Sequence, residues 1–364
     1  MPGRRTVEPE QCALPSQRAP DSGWYVTAVR LISVAFGFFA PALILMALLI
    51  LLAPQGGDAQ PPSKVYRVAH LSTAGRTTDG APPRPLREGL RELGYIEGQN
   101  VVYEARFAEG KVDRLPALAA ELLALKVDII VAQGRPAVVA AKQATSTVPI
   151  VIAPASSDAV ATGLIASLPR PGGNVTGLTD ELDQLSAKRM EFLRETLPRA
   201  TRVAVLWNAT DPGMNLRYRA IEKAARILNI EVESLALQSP DDFETAFATM
   251  ARRRPDALFL VTDALTNMNQ KRVVEFSAMQ RIPAMYESSV VVRQGGLISY
   301  GPTPEEMFRR AAAYIDRILK GAKPGDLPAE QPTRYLLTLN VKTAKALGLT
   351  IPPAVLLRAD HVID

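Results

Sequence analysis

The chain has one cysteine and two histidines among its 364 residues. Cys12 alone permits no intramolecular disulfide and no cysteine-based metal cluster. It also precedes the apolar segment at residues 31–53, so it does not stand where a lipid-modified cysteine would follow such a segment. His70 and His361 are far apart and no His-x-x-x-His spacing occurs, which leaves a zinc site without its usual ligands. There is no block of Lys or Arg interleaved with aromatics, and the formal charge of +5 is spread along the chain. A nucleic-acid partner is therefore not expected. Gly-x-Ser-x-Gly, phosphate-cradling and metal-binding-helix motifs are all missing. Gly172-Gly173-Asn174-Val175-Thr176-Gly177 follows a predicted helix where a dinucleotide-binding turn would follow a strand. His70 beside Ser72 could be drawn as base and nucleophile, but a lone histidine at a strand end reads as structural. Neither an enzyme nor a cofactor-dependent protein is expected.

What is present fits a packed protein of two ordinary α/β domains: 47% hydrophobic and 22% charged residues. Residues 31–53 are 23 positions without a charge, enough to span a bilayer. Arg4, Arg5, Arg18 and Arg30 precede them and favour a cytoplasmic residue 1–30 region, with the remainder exported. The apolar stretch reads as a transmembrane signal-anchor or a signal peptide; Gly57-Asp58-Ala59 offers small residues to a peptidase. Residues 54–64, rich in Gly and Pro, read as a linker.

The centre of the chain is residues 149–178. A short apolar run at 149–152 reads as a buried parallel strand, followed by a small, polar exit loop, a short helix at 159–168, a Pro/Gly break and a new extended segment at 174–178. On either side the same strand–helix alternation recurs. Strands are expected at 66–71, 101–106, 128–132 and 149–152, then at 202–207, 231–237, 256–261, 283–286 and 335–340, with helices between them, among them 240–253 capped by Ser239, 267–280 and an amphipathic one at 304–319. Such spacing implies right-handed crossovers and parallel sheets. The expected fold class is α/β, with two doubly wound parallel-sheet lobes joined at a hinge behind one N-terminal hydrophobic helix. Lobe 1 is expected to comprise 65–178 plus 301–364, and lobe 2 to comprise 179–300.

In a hinged clamp the strand-exit loops of both lobes face one cleft. Those loops carry Ser72, Thr73, Gly134, Arg135, Ser156, Ser157, Asp158, Asn208, Asp211, Thr262, Asp263 and Glu287, with Tyr300 at a crossing. Their donors and acceptors suit a small polar ligand, best a zwitterion. Its carboxylate would take serine hydroxyls and the N–H groups of the helices after Ser72 and Asp158, and its ammonium Asp158, Asp263 or Glu287. Plainer roles stand beside these. Ser156 and Ser157 could cap the next helix, Asp211 could serve a Pro-Gly turn, and Arg135 could be a solvated charge. Trp207 reads as core or a ligand platform, with core favoured, and Tyr300 as cleft wall or hinge packing.

Several runs carry a resemblance: Leu90-Arg91-Glu92-Leu93-Gly94-Tyr95, Asp113-Arg114-Leu115-Pro116, Ala144-Thr145-Ser146-Thr147-Val148-Pro149-Ile150-Val151, Arg170-Pro171-Gly172-Gly173-Asn174-Val175-Thr176-Gly177, and the stretch from Lys342 to Pro353. By these the sequence resembles the extracytoplasmic substrate-binding proteins of ABC transporters, over nearly all of residues 66–364. The resemblance implies a type I periplasmic-binding-protein fold, capture of a small-molecule ligand without chemistry, ABC permease subunits as partners, and a periplasmic location; the apolar run at 31–53, unusual for a freely diffusing binding protein, would tether it to the inner membrane. The chain departs from the family where Asp158-Ala159-Val160 replaces Asp-Pro-Val and in the loop at 74–83. A membrane-tethered sensing ectodomain would share the clamp; a neighbouring permease or kinase gene separates the two.

Overall fold

The computed structural model describes residues 64–153, 158–179 and 182–364. The N-terminal segment, including the apolar run at 31–53, lies outside the described residues. Within them no helix is long and apolar enough to cross a membrane.

Strand and helix alternate as the apolar periodicity dictates. The first lobe runs β1 (Tyr66–Ser72), α1 (Arg84–Glu92), β2 (Val101–Phe107), α2 (Leu115–Ala124), β3 (Ile129–Gln133), α3 (Arg135–Ala144), β4 (Ile150–Ile152) and β5 (Val175–Gly177). The second continues with α4 (Leu182–Thr196), β6 (Arg202–Asn208), α5 (Pro212–Ile227), β7 (Glu231–Leu237), α6 (Asp242–Arg253), β8 (Ala257–Leu260), α7 (Ala264–Met268), α8 (Gln270–Gln280), β9 (Ala284–Tyr286), α9 (Ser289–Arg293) and β10 (Ile298–Gly301). Then come α10 (Pro304–Leu319), β11 (Leu336–Asn340), α11 (Val341–Ala346), α12 (Pro353–Leu356) and β12 (His361–Ile363).

The first sheet has the order β2-β1-β3-β4-β5 and is parallel throughout. The second has the order β12-β11-β10-β9-β8-β6-β7, parallel except where β10 meets β11. Read from β7 to β10, it repeats the order of the first sheet. Both lobes are therefore doubly wound with the same turning point, β1/β3 in one and β6/β8 in the other. Helices cover both faces of each sheet. Along β6, Val203, Val205 and Trp207 face the cluster with α4 and α5, while Ala204 and Leu206 face the cluster with α6 and α8.

The boundary expected at residue 301 is corrected in part. Helix α10 does return to lobe 1, burying Met307, Phe308, Ala311, Ile315 and Ile318 with Leu86 and Leu90 of α1. Gly89 allows this approach: a Cβ there would stand 2.9 Å from the Ala312 Cβ. But β11 and β12 join the second sheet. β11 is buried at all five positions, and a strand apolar on both faces needs a covered sheet, which β10 provides. The chain thus passes between lobes after β5, after β10 and before β11.

The helix expected at 159–168 is a series of turns. Gly163 takes a left-handed φ of 71°, which ends the helical path one turn after Asp158. The helix expected at 267–280 is two helices meeting at Asn269, and Asp241, not Ser239, holds the cap position of α6.

Candidate functional site

Open α/β sheets bind ligands outside the carboxyl ends of their strands, at the turning point of the strand order. Here the two turning points face each other. A cavity of about 780 Å³ lies between them and adjoins a smaller one of about 180 Å³; Thr73, Gly134, Asp263 and Ala264 line both.

The lobe 1 wall is built by the exits of β1 and β3. Ser72 is fully buried, donating to Gln133 Oε1 at 3.1 Å and accepting the Ala74 N–H at 3.0 Å. The Thr73 hydroxyl donates to the Gln133 carbonyl at 3.3 Å. Gly134 has φ +84°, and any Cβ on it would overlap the Thr73 hydroxyl, so glycine is required where the chain turns into α3. Arg135 opens α3 and projects toward lobe 2.

The lobe 2 wall is built by the exits of β6 and β8. Asn208 Oδ1 accepts the Thr210 N–H and hydroxyl, and its Nδ2 donates to Asp263 Oδ2. Asp263 caps α7 in a capping box, its Oδ1 accepting the Thr266 N–H at 2.9 Å. Burial raises the Asp263 carboxyl pKa against the lowering effect of these hydrogen bonds. Asp211 caps α5 by accepting the Gly213 N–H at 2.7 Å.

Two features join the lobes. Arg135 Nε donates to Asp211 Oδ1 at 2.7 Å, with the side chains 16% and 7% exposed. Met268 of α7 reaches the glycine loops of lobe 1: Cβ atoms built on Gly75 and Gly110 would lie 3.5 and 3.4 Å from its Sδ and Cγ.

The smaller cavity has an ionic floor. Glu287 accepts Arg189 Nη1 at 3.0 Å on one oxygen and Arg217 Nη1 at 2.9 Å on the other, and all three side chains are buried. Arg189 Nε also donates to the Tyr300 carbonyl at 2.7 Å, and the Thr262 N–H donates to Glu287 Oε2 at 3.2 Å.

Of the residues expected from sequence, Thr73, Gly134, Arg135, Asn208, Asp211, Thr262, Asp263 and Glu287 line these cavities. Ser156 and Ser157 lie outside the described residues. Ser72 lines neither cavity and is spent within the β1–β3 wall. Asp158 also lines neither: its Oδ1 accepts the N–H groups of Val160 and Ala161 in the turn it starts. No helix N-terminus follows it to hold a carboxylate, and α1, after Ser72, lines neither cavity. Tyr300 packs its ring on Phe192 and Tyr335, at 4.9 and 5.9 Å between centroids, so it is hinge packing. Trp207 stacks on Tyr218 at 4.5 Å and is core. Glu287, expected as a partner of a ligand ammonium, already carries a buried arginine on each oxygen. Arg135 is not a solvated charge.

Arg189 and Arg217 are missed from sequence. Their signal is an arginine on an otherwise inward-facing stripe: Ser186, Arg189, Met190 and Leu193 in α4, and Met214, Arg217 and Ile221 in α5. Among the described residues no group of acidic, His and Cys side chains could hold a metal ion.

Behind the same wall, His70 is fully buried between the rings of Phe107 and Phe308; among the described residues neither ring nitrogen has a well-formed hydrogen bond, and the Gln133 side chain only partly offsets the burial. Burial pushes its pKa from 6.5 down to about 4. Above pH 6.5 the ring is neutral in the folded and unfolded chain alike. As pH falls below 6.5 the unfolded chain binds a proton that the folded one refuses, so stability drops, and the loss levels off near pH 4 at on the order of 3 kcal/mol. Urea unfolding at pH 7, 5.5 and 4.5 is expected to show this decline, and His70→Gln to flatten it; an unchanged slope in the variant would remove His70 as the cause.

The sequence model of the family described as "ABC transporter substrate binding protein" matches residues 83–363. A "Tyrosine-binding protein" of Clostridioides difficile is 26% identical over 262 residues, 72% of this chain and 75% of that protein. Among solved structures, an ABC domain in complex with L-Trp from Streptococcus pneumoniae aligns with TM-score 0.76 and 24% identity, covering 82% of this chain and 100% of the other. A conserved domain protein from Vibrio cholerae aligns with TM-score 0.77 and 25% identity over the same shares.

Proposed function

The chain belongs to the family of ABC transporter substrate binding proteins, and on that premise we propose that it is the solute-capturing component of an ABC importer, closing its two lobes on an amino acid or a related small acid. Substrate-binding proteins of ABC transporters act outside the cytoplasm. Residues 31–53 would tether this one to the membrane, and permease subunits would receive the ligand.

The observation that carries this reading is the convergence of both turning points on one cavity bridged by Arg135 and Asp211. The names of relatives point to tyrosine and tryptophan for those proteins. In this chain the larger cavity offers the apolar walls that such a side chain needs, through Leu115, Val139, Met214, Leu265 and Met268. A ligand gripped by loops of both lobes favours the closed clamp over the open one by its differential contacts.

The test is a thermal-shift screen of the purified full chain against the twenty amino acids and small organic acids. A ligand that binds only the folded protein, at a hundred times its Kd, adds about 2.7 kcal/mol and raises the midpoint by several degrees. The bound ligand is then released by unfolding and weighed by mass spectrometry. A screen with no responder, or a ligand recovered in altered form, would sink the reading.

A further inference from the structure

We infer that Arg135 and Asp211 together read the two charges of a zwitterionic head group, so that this pair sets selectivity for an α-amino acid over the corresponding amine or acid. The inference rests on the cleft being the ligand site, as proposed above.

The argument is an accounting of hydrogen-bonding capacity. Asp263 has both oxygens engaged, Oδ1 by Thr266 and Oδ2 by Asn208. Glu287 likewise has both engaged, by Arg189 and Arg217. Glu287 already faces two buried guanidiniums, which disfavours a further cation, and Asp263 has room for one more donor, on Oδ2. Asp211 differs. Its Oδ1 takes the Gly213 N–H and Arg135 Nε, and among the described residues nothing donates to its Oδ2. Arg135 is complementary: only Nε is engaged, and among the described residues its two Nη groups donate to no protein atom. Both residues line the larger cavity.

The ion pair is thus half used. It presents a guanidinium edge able to hold a carboxylate through two parallel hydrogen bonds, beside a carboxylate oxygen able to accept from an ammonium. One carbon separates the two charges of an α-amino acid, which matches two opposite charges held in direct contact. A ligand carrying one charge engages only one member of the pair and forgoes the charge-assisted hydrogen bonds of the other, a loss of the kind that makes polar recognition selective. Because Arg135 belongs to lobe 1 and Asp211 to lobe 2, the same head group would also hold the lobes together. The 2.7 Å ion pair already joins them.

The experiment uses the full chain and its Arg135→Gln and Asp211→Asn variants. Asparagine caps a helix about as well as aspartate, so α5 keeps its start. Titration calorimetry measures the best amino acid from the screen, its decarboxylated amine and its deaminated acid; for tryptophan these are tryptamine and indole-3-propionate. The unaltered protein is expected to prefer the amino acid by about a hundredfold over either analogue, the scale of a lost charged hydrogen bond. Arg135→Gln is expected to erase the preference over the amine but keep that over the acid, and Asp211→Asn to do the reverse. Variants that keep the amino-acid affinity within threefold would overturn the inference while leaving the proposed function standing. So would equal losses for all three ligands, which would mark a merely structural pair. An unaltered protein that binds a small acid and no amino acid would overturn the inference alone, and one that binds neither would overturn both.

Discussion

Replacing Glu287 by leucine is expected to cost about 3–5 kcal/mol of stability, the scale for removing one partner of a buried ion pair. The carboxylate is shared by Arg189 and Arg217, which are 2% and 3% exposed, and it also accepts the Thr262 N–H. Leucine withdraws all three interactions while the cations stay buried. For a domain of this size the unfolding midpoint would fall by roughly 10 °C. Glu287→Gln, which keeps the shape and one acceptor, should lose less. Urea unfolding of the three proteins checks this; a Leu variant within 1 kcal/mol of the unaltered protein would show that the triad does not support the fold. Binding should fall as well, because α4, α5 and the β9 exit loop meet at Glu287 on the floor of the smaller cavity.

Gly301→Ala is expected to destabilise by about 2–3 kcal/mol, as overpacking does in a well-packed interior. Gly301 ends β10 at the crossing back to lobe 1, paired with Leu336. A Cβ on it would overlap the carbonyl oxygen of Glu287, a backbone atom with no rotamer to yield. The added methyl must therefore push the β9 exit loop away from β10 and carry the ionic floor with it, so affinity should drop together with stability. Gly75→Ala is the matched control. It also adds a methyl in a loop beside the cleft, but meets only Met268 Sδ at 3.5 Å, an ordinary contact, and should change stability by less than about 0.5 kcal/mol. Equal midpoints for the two variants would refute the steric account.

How much of this was legible in the sequence varies by element. The strand at 231–237 and the helix at 304–319 were expected with the bounds they have. Each depends on apolar residues at local spacing, and for α10 on Pro304 opening it behind Thr303, which caps it. The turn run at 159–168 was misread because its apolar residues recur at helical intervals, while the single left-handed Gly163 decides the backbone. The last strand was read correctly as a strand and placed in the wrong lobe. Its apolar pattern says that it is covered on both faces and says nothing about which sheet covers it.

The site divides in the same way. Exit loops rich in donors and acceptors could be read from the sequence, because polar residues directly after buried strands mark the carboxyl ends of a parallel sheet. Which of their side chains remain available could not. Asp158, Asp263 and Glu287 look equivalent to Asp211 in sequence, yet Asp158 lines neither cavity, and Asp263 and Glu287 carry donors on both oxygens where Asp211 carries them on one.

The sequence by itself determined the alternation of strand and helix, the family, and several of the loops that line the cleft, since these follow from patterns within a few residues. The tertiary structure alone decided the Arg135–Asp211 bridge, the two arginines on Glu287 and the sheet that β11 joins. Those partners lie 76, 98 and 70 residues apart in the chain for the three ion pairs. Such contacts form only when packing brings distant segments together and burial makes an unsatisfied charge too costly to keep.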